Sequence, residues 1–160
     1  MSDRDNLLKI MRGFQTAMLV SHGVDGSLRG RPMAVAEVKE DGDIIFATNL
    51  KSLKVSEIEN VSNVAVTFQQ GSQYVAISGM ARVTQDQTLI DRLWSETWRV
   101  WFPEGKDDPN LCLLTIDAHT GEFWDNAGLQ GLKFVFESLK AVIQGTTPSN
   151  DSDQHAKTKL

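Results

Sequence analysis

Apolar residues in this chain come in short alternating runs broken by turn residues, with helical spacing in a few windows. Ser2 followed by Asp5 marks a helix start, and Leu7, Leu8, Ile10, Met11 and Phe14 form a helical stripe that ends near Gly13. Thr16 to Ser21 reads as a strand, with a turn at Asp25-Gly26. Arg31 to Lys39 alternates and pairs across the polar turn Glu40-Asp41-Gly42-Asp43 with a strand from Asp43 to Thr48. Ser52 to Asn60 is a short helical window. Val64 to Phe68 and Tyr74 to Val83 are further strands, separated by Gln69-Gln70-Gly71-Ser72.

The spacing of Leu89, Ile90, Leu93, Trp94, Trp98 and Trp101 predicts one helix over Thr84 to Trp101, stopped by Pro103 and Gly105. Leu111 to Asp117 and Gly121 to Trp124 read as a final antiparallel pair about a turn at His119-Thr120-Gly121, and Leu129 to Val142 as a short amphipathic helix. From Gly145 the residues have nothing to bury, so residues 145–160 are expected to be a disordered polar tail after a domain of residues 1–144. The fold class that follows is mainly β with flanking helices, a small antiparallel barrel of six or seven strands with helical covers.

At 160 residues, with 41% hydrophobic and 23% charged, the chain can bury the core of one domain. A net charge of -5 argues against a nucleic-acid surface, which needs clustered Lys and Arg. The single cysteine, Cys112, excludes an internal disulfide and suits a reducing compartment. Met-Ser-Asp-Arg-Asp lacks the apolar region of a signal peptide, and no run reaches the ~18 apolar residues of a membrane span. A cytoplasmic protein, off the membrane, is the expectation.

The candidate chemistry sits at the ends of two predicted strands. Arg31-Pro32-Met33-Ala34-Val35 supplies a guanidinium; Phe46-Ala47-Thr48-Asn49-Leu50-Lys51-Ser52-Leu53-Lys54 supplies hydroxyls and an ammonium. Such donors, with loop amides between them, suit a dianionic phosphate monoester. Solvated side chains at a strand start and an ordinary Ser52 helix cap would account for the same residues more blandly. The three histidines have no metal-ligand spacing, so no metal is expected. Trp94, Trp98 and Trp101 are read as core or subunit packing, and Cys112 as an inert core thiol.

The ordered series Arg31-Pro32-Met33, Phe46-Ala47-Thr48-Asn49, Ser52-x-Lys54, Glu57-Ile58, Gln73-Tyr74, Gly79-x-Ala81, Trp101-Phe102-Pro103 and Glu122-Phe123-Trp124 resembles the pyridoxamine 5'-phosphate oxidase-like FMN-binding split barrels, most of all their bacterial general stress proteins. The resemblance implies an antiparallel split β-barrel that binds FMN, with FAD as the larger alternative, at a homodimer interface. It implies that Arg31 reaches the flavin phosphate and that Pro32, Met33, Ala34 and Val35 lie against the ring. Thr48, Ser52 and Lys54 would hold the phosphate and ribityl chain, with Ala47, Asn49 and Leu53 counted among the flavin-site residues. Gln73 would bond the ring or its tail, and Trp124 would arrive from the partner subunit. The chain lacks the oxidase's lysine after Arg31, has Leu53 where the oxidase carries arginine, and lacks its C-terminal Trp-Arg segment. These departures argue against oxidation of pyridoxamine phosphate. They leave a redox-related flavin protein, a flavin-dependent oxidoreductase on another small substrate, and a haem or deazaflavin module as the alternatives.

Overall fold

The computed structural model describes residues 2–125 and 155–160. The expected helix over Leu129 to Val142 and the first ten residues of the expected tail, 145–154, lie outside the described residues.

Helix α1 (Asp3–Arg12) opens on the capping box that the sequence announces: Ser2 Oγ accepts from the Asp5 amide at 3.1 Å, and the Asp5 carboxylate accepts from the Ser2 amide at 3.1 Å. Strands β1 (Thr16–His22), β2 (Leu28–Val38) and β3 (Ile44–Asn49) follow, then α2 (Leu53–Asn60), β4 (Asn63–Gln70), β5 (Gln73–Thr84), α3 (Gln87–Leu93), β6 (Leu111–Asp125) and β7 (His155–Lys159). All pairings are antiparallel, in the order β3-β2-β1-β4-β5-β6-β7, and β3 also pairs with β6. That extra pairing closes six strands into a barrel. β3 uses the first half of one β6 edge, from Leu111 to Ile116, and β7 uses the second, from Thr120 to Trp124.

Two cores result. Leu7 and Met11 of α1, with Leu19, Phe46, Val66, Phe68, Ile77 and Leu114, fill the barrel interior. Outside it, Ile45, Leu111 and Leu113 pack beneath Ile90 and Phe102, flanked by Trp94 and Trp98. β3 and the start of β6 are therefore covered on both faces. This explains why Ile44-Ile45-Phe46 and Leu111 to Leu114 are continuous apolar runs and not alternating ones.

Three expectations are corrected. The predicted helix over Thr84 to Trp101 is two pieces: α3 ends where Trp94 turns extended (ψ 133), and a 3-10 turn covers Glu96–Val100. Local polar bonds compete with helix there, since Ser95 and Thr97 bond each other at 2.8 Å and Trp94 Nε1 donates to Glu96 at 2.9 Å. Next, β6 is a single strand of 15 residues with no turn at His119. Its partners step from Ser78↔Thr120 to Gly79↔Ala118, so His119 is the extra residue of a bulge. Finally, residues 155–159 of the expected tail form β7, because the free second half of the β6 edge offers them a backbone ladder.

The bulge explains Gly79. A Cβ there would lie 2.2 Å from the Asp117 carbonyl oxygen, which is backbone and cannot step aside cheaply. Gly79→Ala should therefore cost about 1–3 kcal/mol of stability. A lower urea midpoint at unchanged slope is the expected result; an unchanged midpoint would contradict the packing described.

Candidate functional site

A cavity of ≈ 290 Å³ opens where the helical cover stops short of the sheet, lined by Pro32, Met33, Ala34, Ala47, Thr48, Asn49, Lys54, Trp98, Trp101 and Phe102. β2 and β3 form its floor, with α2 bringing Lys54 and the segment after α3 bringing an aromatic wall. Trp101 is 64% exposed at this wall, and Phe102 is buried.

The polar end is built at the N-terminus of α2. Lys54 Nζ donates to Thr48 Oγ1 at 3.1 Å. Burial, and then the neighbouring Arg31 charge, hold the Lys54 ammonium below its ordinary pKa. Ser52 is the N-cap residue, yet its hydroxyl makes no capping bond and is buried without a partner. Serine at that position ordinarily caps, so its orphaned hydroxyl is spare hydrogen-bonding capacity beside a poorly compensated cation.

Arg31 is engaged from below. Its Nη2 donates to Glu57 Oε2 at 2.8 Å and its Nη1 to the Ser21 hydroxyl, while Ser21 donates to the same Glu57 oxygen at 2.7 Å. Arg29 Nε lies 3.5 Å from Glu57 Oε1. The Glu57 side chain is only 1% exposed. Burial would raise its pKa, but the hydrogen bonds from Ser21 and Arg31 and the charges of Arg31 and Arg29 outweigh that and hold it below the ordinary 4.5. Beneath the floor, the Cys112 thiol donates to the Thr48 carbonyl at 3.4 Å, and burial pushes its pKa up to about 11, which makes it an inert thiol.

Of the residues singled out in the sequence, Pro32, Met33, Ala34, Ala47, Thr48, Asn49 and Lys54 meet at the cavity, and Arg31 and Ser52 lie in the polar cluster beside it. Val35 packs against the inner core, and Leu53 is exposed at the start of α2. Asn49 Oδ1 accepts from the Lys51 amide at 2.9 Å, so it also shapes the loop. Gln73 and Trp124 are not brought to this cavity. They sit across from Asp125 and Tyr74 at the far end of β6, where Gln73 donates to Asp125 at 3.3 Å. Trp94 and Trp98 pack on the outer core as their spacing predicts, and the break after Leu93 also turns Trp98, Trp101 and Phe102 into a wall of the cavity, which helical spacing does not show. Sequence reasoning missed Ser21, Arg29 and Glu57, whose convergence comes from three separate elements.

The chain belongs to a known family. The family described as pyridoxamine 5'-phosphate oxidase like matches residues 2–149. General stress protein 26 of Bacillus subtilis (strain 168) is 37% identical over 83 residues, 48% of this chain; the match spans 59% of that relative's length. Among solved structures, General Stress Protein 26 of Bacillus anthracis str. Sterne superposes with a TM-score of 0.70 at 26% identity, covering 77% of this chain and 94% of that one. The general stress FMN/FAD binding protein of Xanthomonas citri gives 0.68 at 31% identity, covering 78% and 89%. The antiparallel split barrel expected from the sequence is thus the fold of the family, and general stress proteins are among its relatives.

The buried carboxylate gives stability a pH signature. Because folding lowers the Glu57 pKa, its contribution is fully present above about pH 4.5 and is lost as pH falls through the lower folded-state value. Glu57→Gln should cost about 1.5–3 kcal/mol at pH 7 and flatten the acid limb of the stability curve. Equal acid sensitivity in the two proteins, measured by urea unfolding between pH 3 and pH 7, would contradict this role.

Proposed function

We propose that this protein binds FMN, with the phosphate held by the cluster at the start of α2 and the ring in the cavity above β2 and β3. The observation that carries the reading is a lysine with its pKa lowered at one end of an otherwise uncharged slot, close in the chain to a serine whose buried hydroxyl has no partner. Lys54 and Arg31 supply the charge, Thr48 and Ser52 the hydroxyls, and the backbone of Pro32 to Ala34 an edge for the polar rim of the ring. The aromatic wall of Trp98, Trp101 and Phe102 suits a flat apolar face. The Xanthomonas citri relative, described as FMN/FAD binding, supports the choice of ligand.

Bound flavin supplies hydride or electron transfer itself, so the chain need only place it and tune its charge. This agrees with the lining, in which Lys54 is the one titratable side chain. The protein is read as a redox-related flavin carrier.

A homodimer completes the reading. The cavity is open to the surface beside the half-exposed aromatic wall, as a slot closed by a second subunit would be. On the outward faces of β1, β4 and β5, Met18, Val20, Ala65, Thr67, Tyr74 and Ala76 form an uncharged patch with Met18 and Tyr74 exposed, and Arg82 lies further along β5. Gln73 and Trp124, remote from the cavity of their own chain, would then serve the partner's flavin.

Added FMN should bind with quenched fluorescence, at one flavin per subunit of a dimer. Lys54→Ala should weaken FMN by about 1.5–3 kcal/mol, roughly ten- to a hundredfold, while riboflavin, which lacks the phosphate, should be nearly unaffected. A flat fluorescence titration with the unaltered protein would remove the proposal.

A further inference from the structure

Among the described residues, Glu57 is the one acidic side chain buried against the cations of the polar cluster, and nothing about flavin binding asks for it. A carboxylate at that depth needs compensation, and an anion next to a phosphate site should repel the ligand. Its arrangement resolves the conflict. Glu57 sits on the barrel-facing side of α2 between Val55 and Ile58, which are both buried. From there it meets Ser21 at the inward-facing end of β1, and Arg31 and Arg29 on β2. Ser21 is itself fully buried and touches both partners, so the hydroxyl, the carboxylate and the guanidinium form a closed triangle.

Resting on the FMN reading above, we propose that Glu57 is a positioning residue for the phosphate: it fixes the Arg31 guanidinium from the protein side and trims the charge of the cluster to match a phosphate monoester. The guanidinium is planar, and two of its five N–H groups are committed to Ser21 and Glu57. With its plane fixed, the remaining N–H groups are presented at a set angle, and the entropy of ordering a long side chain is met in advance of ligand binding. The charge count follows the same logic. Arg29, Arg31 and Lys54 against Glu57 leave an excess of two positive charges. That complements the −1.5 to −2 of a phosphate monoester at neutral pH. Glu57 itself never touches the ligand. It acts through Arg31.

A positioning role separates from a structural one by comparing two ligands that share the ring and differ in the phosphate. Fluorescence titrations of FMN and riboflavin against the unaltered protein and Glu57→Gln give the FMN-over-riboflavin preference of each. The preference should drop by about tenfold in Glu57→Gln, with the riboflavin dissociation constant within about twofold of its original value. Equal weakening of both ligands, an unchanged preference, or a preference that rises because an anion beside the phosphate has gone, would overturn the role assigned to Glu57 while leaving FMN binding intact. An unaltered protein that binds neither flavin would overturn the FMN reading and this one with it. Ser21→Ala removes the bridging hydroxyl without stranding a buried amide. It should lower the preference in the same direction by about threefold, and the same titrations decide the matter on this variant if Glu57→Gln fails to fold.

Discussion

The ion pair between Glu57 and Arg31 ties the barrel to its candidate site. A carboxylate with its side chain 1% exposed obliges the chain to bring cations and hydroxyl donors to it, and they come from β1 and β2. Meeting that demand docks α2 against the end of the barrel. The position of α2 in turn sets where Ser52 and Lys54 stand relative to Thr48. The same residues that pair with a buried charge thus assemble a cation-rich corner, held by contacts within the protein.

The cavity beside it follows from a second constraint, the double covering of β3 and the start of β6. Ile45, Leu111 and Leu113 face outward and must be shielded, and α3 with the segment after it supplies Ile90, Phe102 and the tryptophans. The break after Leu93 is what shapes the slot. A continuous helix to Trp101 would carry its aromatics along one stripe, whereas the 3-10 turn at Glu96–Val100 delivers Trp98, Trp101 and Phe102 to the rim over Ala34 and Ala47. The bulge at His119 has a comparable effect on β6. It lets one strand serve β3 with its first half and β7 with its second.

Much of this was legible from local signals. Short apolar or alternating runs located β1, β2, β4 and β5, the Ser2–Asp5 pair located α1, and Arg31, Thr48, Ser52 and Lys54, singled out in the sequence, lie around the start of α2. What escaped reading depended on contacts distant in sequence. His119-Thr120-Gly121 has turn chemistry, and only the pairing with Ser78 and Gly79 converts it into a bulge. Residues 155–159 pair along an open backbone edge and Leu160 after them packs against the inner core, a docking that no local signal announces. Ser21 and Glu57 are 36 residues apart, and neither neighbourhood hints that they share a hydrogen bond. The resemblance groups Gln73 and Trp124 with the site, whereas the pairing of β5 with β6 places them away from the cavity of their own chain.

The central claim is that a preassembled cationic corner receives a phosphate in its fully ionised state. Phosphorus-31 NMR of FMN in complex with the protein tests it directly, because the resonance reports the ionisation of the phosphate itself. Free FMN should titrate with the second phosphate pKa near 6. In the complex, Arg31 and Lys54 should hold the dianion, leaving the bound resonance flat down to about pH 5. A bound phosphate that titrates like the free one would show that the corner does not grip it.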